Sequence, residues 1–325
     1  MKKLAAFLLG LLLLSCSKQE HHSYTFYYWR TQLSLNDVEK DALNRADVPA
    51  LYLRFFDVDR LDGKIQPVAL VNKDSSFVSD KEIVPVVFIT NRTLYNISSE
   101  EIQYLAEELI KLVERRAGEL SLNMGGELQI DCDWTAGTRD DFFLLLERLK
   151  ELSGLKVTST LRLHQVKDRH KMGVPPVDKV YLMCYSTSSP LEDSDKNSIL
   201  DLSLLKNYLR ELQRYPIQNI DIALPIFSWG IVTNHIGQHR LINGLSKTDL
   251  NSPGLRKIAE NRAEVVEDGF YFGHFLNSGF MIKTEEIDAA QLDEAVQFIN
   301  NKIPKYNIIY YQLSSGFVDN KNLLR

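Results

Sequence analysis

An α/β chain folded as a single (β/α)8 barrel, with an insertion after strand seven, is what this sequence predicts, and three observations predict it. Eight short runs rich in β-branched and aromatic residues recur along the 325 residues. Amphipathic helical stretches, opened by Ser, Asn or Asp, fill most of the gaps between them. No Pro/Gly/Ser-rich linker and no internal repeat divides the chain, and a barrel of this length is commonly one domain. Strands alternating with helices close as a parallel ring when there are eight of them. An open doubly wound sheet is the competing arrangement, although nothing in the chain resembles the Gly-rich phosphate turn that often accompanies one.

The chain opens on "MKKLAAFLLGLLLLSCSKQE". Two lysines precede an apolar run of about eleven residues, which is short of the roughly 20 a spanning helix needs. Residues 1–15 therefore read as a secretory leader. The ending Leu13-Leu14-Ser15-Cys16 resembles the lipobox of bacterial lipoproteins, in which the cysteine is acylated and begins the mature chain. That resemblance implies a lipid anchor at Cys16 on a cell-envelope membrane, the outer membrane before the inner, with residues 16–23 as a short linker and the barrel over 24–325.

The strand runs are 24–29, 50–56, 83–90, 127–134, 156–163, 179–186, 219–229 and 307–314. Five helices fall between or after them: "SLNDVEKDALNRA", capped at Ser34 or Asn36; "SSEEIQYLAEELIKLVERRA", capped at Ser98 or Ser99; "TRDDFFLLLERLKEL"; "DLSLLKNYLRELQR"; and "IDAAQLDEAVQFINNKI". From 230 to 284 the alternation breaks. "SPGLRKIAENRAEVVED" reads as a helix and "GFYFGHFLNSGFMIK" as a hairpin turning near Asn277-Ser278-Gly279, together walling one side of the barrel mouth.

Charge and cysteine usage narrow the function. With 38 basic residues against 43 acidic, and fewer basic ones once Lys2 and Lys3 leave with the leader, nucleic acid is excluded as a partner. No basic cluster offers a second hold on anionic lipid, so the acyl chains do the anchoring. Cys132 and Cys184 fall on strands with one other strand between them. Two interstrand steps of about 4.8 Å exceed the disulfide limit of about 7 Å, so both are expected as buried free thiols. His235 and His239 lie four apart, but Gly237 stands between them and no third ligand is near. No metal and no cofactor is expected.

Chemistry concentrates on strand four. In "ELQIDCDW", Gln129, Asp131 and Asp133 share one face while Leu128, Ile130 and Cys132 share the other. An inward polar face near a strand's C-terminal end is where barrel chemistry sits. Strand five presents Thr158, Thr160, Arg162 and His164 in the same way. The expectation is that Asp131 pairs with Arg162, because a buried charge needs a partner, and that Asp133, nearer solvent, carries a raised pKa. Trp29, Trp134, Tyr185 and Trp229 stand at strand ends, where aromatic faces suit a sugar ring.

"LQIDCDWT" resembles the D-x-x-D-x-D-x-E strand of family 18 glycoside hydrolases, the chitinase-like enzymes. Asp131 and Asp133 fall on the last two aspartates and Trp134 on a common aromatic. Leu128 falls where the first aspartate stands, and Thr135 where the catalytic glutamate stands. In that family the glutamate protonates the leaving oxygen, so its mechanism does not carry over. "QIDCDW", "STLRLHQ", "GVPPVDKVYLM" and "ALPIFSWG" more closely resemble a group of bacterial lipoproteins described as glycoside-hydrolase-like barrels, over nearly the whole mature chain.

The resemblance implies a barrel that binds or hydrolyses a carbohydrate. For hydrolysis, Asp133 and Asp131 are the catalytic candidates, with a second carboxylate from Asp57 or Asp59. Trp29, Asp57, Arg162, His164, Tyr185 and Trp229 are the binding candidates. The alternative is a glycan-binding or protein-gripping lipoprotein on the same fold.

Overall fold

The computed structural model describes residues 22–192, 195–318 and 324. The leader, Cys16 and most of the linker lie outside the described residues. Eight parallel strands form the ring: β1 (Tyr24–Tyr28), β2 (Ala50–Leu61), β3 (Glu82–Ile89), β4 (Glu127–Cys132), β5 (Lys156–Arg162), β6 (Val180–Met183), β7 (Ile220–Pro225) and β8 (Ile308–Tyr311). Tyr24 pairs with Ile308 and Tyr27 with Tyr52, so β1 joins β8 on one side and β2 on the other and the ring is closed. The expected (β/α)8 barrel is the observed fold.

Several strands stop short of their apolar runs. β4 ends at Cys132, β6 at Met183 and β7 at Pro225, because the chain leaves the ring at the mouth while the residue type stays apolar. β2 does the opposite. It runs on to Leu61 and folds back as Lys64–Val68, turning on Asp62 and Gly63 with φ of 50° and 77°. Asp-Gly is the pair such a tight hairpin turn takes, since both positions need positive φ.

The helices are α1 (Asp37–Arg45), α2 (Ser99–Glu119), α3 (Arg139–Ser153), α4 (Leu163–Lys167), α5 (Arg169–Met172), α6 (Leu202–Tyr208), α7 (Ala289–Asn300) and α8 (Ser315–Val318). Asn36 caps α1 and Ser98 caps α2. Each is answered by a glutamate three residues on, Glu39 and Glu101, which accepts from the cap's own N–H. Along α2, Ile102, Leu105, Ala106, Leu109 and Val113 recur at helical spacing and turn inward onto the barrel.

Residues 229–285 correct the sequence reading. The stretch expected as a helix is two antiparallel strands, Leu255–Ala259 and Arg262–Val265, within a five-stranded sheet. Its order is His239–Asn243, Trp229–Thr233, Met281–Glu285, Arg262–Val265, Leu255–Ala259. Ala263 and Val265 are buried between less covered Arg262 and Glu264, the two-residue period of a strand, and they join a small core with Val232, Ile242 and Ile282. Pairing with Met281–Glu285 overrides the local helical pattern. The hairpin is also displaced. It joins Gly269–Tyr271 to His274–Leu276 through Phe272 and Gly273, and Asn277-Ser278-Gly279 leads into the next strand instead.

Below the mouth the barrel is plugged. Tyr27, Tyr52, Gln129 and Tyr181 are buried in its interior; the Tyr27 hydroxyl donates to Gln129 Oε1 at 2.9 Å, and the Tyr52 and Tyr181 hydroxyls lie 2.7 Å apart. A cavity opens above them, at the C-terminal ends of the strands. Cys132 and Cys184 are buried free thiols. No helix among the described residues is long and apolar enough to cross a membrane.

Candidate functional site

Strand register decides how the acidic pair is used. Ile130 lies level with Ser159, so Asp131 comes level with Thr160, and Asp133 with Arg162, one step nearer the mouth. The Thr160 hydroxyl donates to Asp131 Oδ1 at 2.7 Å. Arg162 grips Asp133 with two N–H groups, Nη2 donating to Oδ2 at 2.8 Å and Nε to Oδ1. The expected partners are thus exchanged. Asp133 is the fork-bound member of the ion pair, and Asp131 is the carboxyl with no cation hydrogen-bonded to it among the described residues.

Asp131 is 3% exposed. Burial pushes its pKa from 3.8 up to about 6; the Arg162 charge opposes this, Asp133 and Asp57 reinforce it, and the Thr160 bond opposes it. Asp131 is thus a raised carboxyl on this strand. Burial disfavours the Arg162 cation, but the bonds and charge of Asp133 outweigh that and hold its pKa above the ordinary value.

Over Asp131 opens a cavity of about 320 Å³ at the C-terminal ends of the strands. Aromatic rings wall it. Tyr185 stacks on Tyr311 at 5.3 Å between centroids, Trp29 meets Tyr311 edge-on at 5.7 Å, and Phe227 lies 5.6 Å from Tyr311 and 5.1 Å from Trp229. Burial raises the Tyr185 and Tyr311 phenols, which therefore remain protonated at any physiological pH.

Asp57 also lines this cavity, paired with Arg54, whose Nε donates to Asp57 Oδ1 at 2.6 Å. A register shift in β2 between Arg54 and Phe56 makes the pair possible. A bulge there lets residues three apart share one face, which strict alternation forbids. Arg54 also lies over the Trp29 ring, 5.6 Å from its centroid.

The other sequence candidates are dispersed. His164 is exposed: β5 ends at Arg162 and α4 begins at Leu163, so the alternation that would turn His164 inward has stopped. Trp134 is fully buried away from the cavity, stacked on Phe142 at 5.0 Å, its indole N–H donating to the Met172 carbonyl at 2.8 Å. Asp59 is held by Arg92, Thr90 and the Arg60 N–H, bonds that keep its carboxyl far below the usual range, and it does not reach the cavity. Trp229 is not the end of strand seven but the first residue of the insertion sheet, and it still lines the cavity. His235 packs on Phe280 and His239 bonds Thr233, in a hairpin rather than on a helix.

Sequence reasoning missed Arg54, Phe227, Tyr311 and Gln312. Tyr311 lies inside the expected eighth strand run and its exposure at the mouth follows from strand position. Gln312 follows it in the same run. Its Oε1 is buried with no hydrogen-bond partner among the described residues, and the residue lines the cavity. Thr135, where the resemblance looks for an acid, is exposed, its N–H donating to Thr138 Oγ1 at 3.0 Å.

Fold and site together define a (β/α)8 barrel with an aromatic mouth over a buried carboxyl. No protein-family model matches the sequence, and no curated protein matches it. Solved structures share the fold. The spore cortex-lytic enzyme SleL of Bacillus cereus superposes with a TM-score of 0.54 at 15% identity, over 94% of this chain and 74% of its own. A chitinase from Chromobacterium violaceum gives 0.54 at 12% identity, over 93% and 98%. A Bacillus thuringiensis chitinase gives 0.53 at 10%, over 94% and 70%. The chain thus has the barrel fold of chitinase-like glycoside hydrolases.

Proposed function

We propose that this chain is a lipid-anchored envelope protein whose barrel mouth binds a carbohydrate. The observation that carries the reading is the cavity of about 320 Å³ where Trp29, Tyr185, Phe227, Trp229 and Tyr311 surround the Asp131 carboxyl and the Arg54–Asp57 pair. Sugar rings lay their C–H faces on aromatic rings, and their hydroxyls are read by carboxylates and guanidinium groups. That volume is near the lower end of small-molecule pockets, about 300–1,000 Å³, and suits the end of a glycan chain. The shared fold of chitinases supports the same ligand class.

Acylation at Cys16 supplies the anchor. Only about eight residues separate it from β1, a reach of at most ~28 Å, so the N-terminal face of the barrel turns towards the bilayer and the mouth away from it.

Hydrolysis is the second reading, and the raised Asp131 carboxyl is the observation that favours it. A carboxyl titrating near 6 can hand a proton to a leaving oxygen, and Asp57 would be the second carboxylate. A separation of about 5 Å implies retention of configuration and roughly 6.5–9.5 Å implies inversion. Binding stands first because both Asp57 and Asp133 are held in arginine pairs. The test is a glycan panel scored for affinity and for new reducing ends. Binding without reducing ends supports the receptor; reducing ends that vanish in Asp131→Asn establish the hydrolase; neither signal overturns the carbohydrate reading.

A further inference from the structure

Glu285 ends the last insertion strand directly opposite Trp229, its antiparallel partner. It is 3% exposed, and both of its carboxylate oxygens accept hydrogen bonds. Oε2 accepts from the Trp229 indole N–H at 2.8 Å, from the Ser198 N–H at 3.0 Å and from the Ser198 hydroxyl. Oε1 accepts from Lys283 Nζ at 2.6 Å. Three segments thus meet at one carboxylate: the aromatic wall of the mouth, the loop that follows β6 and carries Tyr185, and the insertion sheet.

We infer that Glu285 is a positioning residue that holds the Trp229 ring as a preset stacking surface for the ligand, an inference that rests on the carbohydrate reading of the mouth. A buried ion pair is a poor way to gain stability, since desolvation offsets most of its attraction, whereas a carboxylate saturated by directed donors admits one geometry. A ring fixed before binding loses less freedom when the sugar arrives. Both oxygens accept from protein donors, and Glu285 acts through Trp229.

The chain has three tryptophans, so indole N–H resonances can be read one by one by NMR on the full chain, with Trp229→Phe assigning its peak. Glu285→Ala should move the Trp229 indole peak upfield and speed its exchange with water, leaving Trp134 unmoved. Glu285→Gln keeps an acceptor for the indole and should restore the peak. If loss of the carboxylate beside Lys283 prevents folding, Glu285→Ala with Lys283→Met removes both charges and gives the same readout.

In the binding arm, β-1,4-linked tetramers of glucose and of N-acetylglucosamine are titrated calorimetrically. Glu285→Ala should weaken whichever tetramer binds by about tenfold, the scale of one good hydrogen bond, and Glu285→Gln should recover most of it. A Trp229 peak that stays put in Glu285→Ala, or affinity that is unchanged although the peak moves, overturns the inference. Failure of the unaltered protein to bind any glycan in the wider panel sinks the carbohydrate reading instead, and the indole spectra still decide whether Glu285 fixes the ring.

Discussion

Replacing Asp131 by Asn isolates the electrostatic cost of the buried carboxyl. Its folded pKa is raised, from 3.8 to about 6, so the folded state binds the proton more tightly than the unfolded chain does. The stability this group contributes is therefore full below pH 4 and is lost as pH rises through 6. At about 1.4 kcal/mol per tenfold change in proton affinity, the interval is worth roughly 3 kcal/mol. Asn has no charge to bury, and its carbonyl can still accept from Thr160.

The variant should therefore gain on the unaltered protein by about 3 kcal/mol between pH 4 and pH 7, with a plateau above. For a domain of this size that is roughly 6 °C in Tm. Urea unfolding followed by far-UV circular dichroism at several pH values measures the difference between the two proteins, in which every other titrating group cancels. Any fixed packing cost of the amide shifts the whole curve without changing its slope. A gap that does not vary with pH, or that closes as pH rises, would refute the assignment of the raised carboxyl to Asp131.

Three other outcomes follow from the same geometry. Arg162→Met removes the cation that opposes the rise at Asp131, so the Asp131 carboxyl should titrate above 6 by carbon-detected NMR, and a fall would contradict the arrangement. Gln312→Met removes an amide oxygen that has no partner among the described residues, so stability should hold or improve by about 1 kcal/mol in urea unfolding while glycan affinity drops several-fold; equal affinity would mean that the oxygen is not read by the ligand. Trp134→Phe strips the bond to the Met172 carbonyl and leaves a gap beside Phe142, and should cost about 2 kcal/mol with no effect on glycan affinity, since that ring is buried away from the mouth.

The ring of strands and its longer helices were readable in the residues because both signals are local. Alternating apolar side chains mark a strand, a three-to-four-residue period marks α2, and Asn36 and Ser98 announce their helices by chemistry that acts within four residues. Asp131, Trp29, Asp57, Tyr185 and Trp229, which line the cavity, were readable for the same reason: each stands near the end of a strand run, and strand ends meet at one mouth.

Pairing was not readable in that way. Whether Arg162 takes Asp131 or Asp133 depends on the register of β4 against β5, which no property of either strand alone reports. The bulge that brings Arg54 beside Asp57 and the helical turn that carries His164 outward are likewise answers to neighbours. In the insertion, Leu255–Ala259 has a pattern that suits a helix, yet a sheet partner supplies its hydrogen bonds. Local chain chemistry sets which face of each element is apolar and where the element begins. The contacts between elements, made over long stretches of chain, set which charges meet, which carboxyl keeps its proton and which rings enclose the cavity.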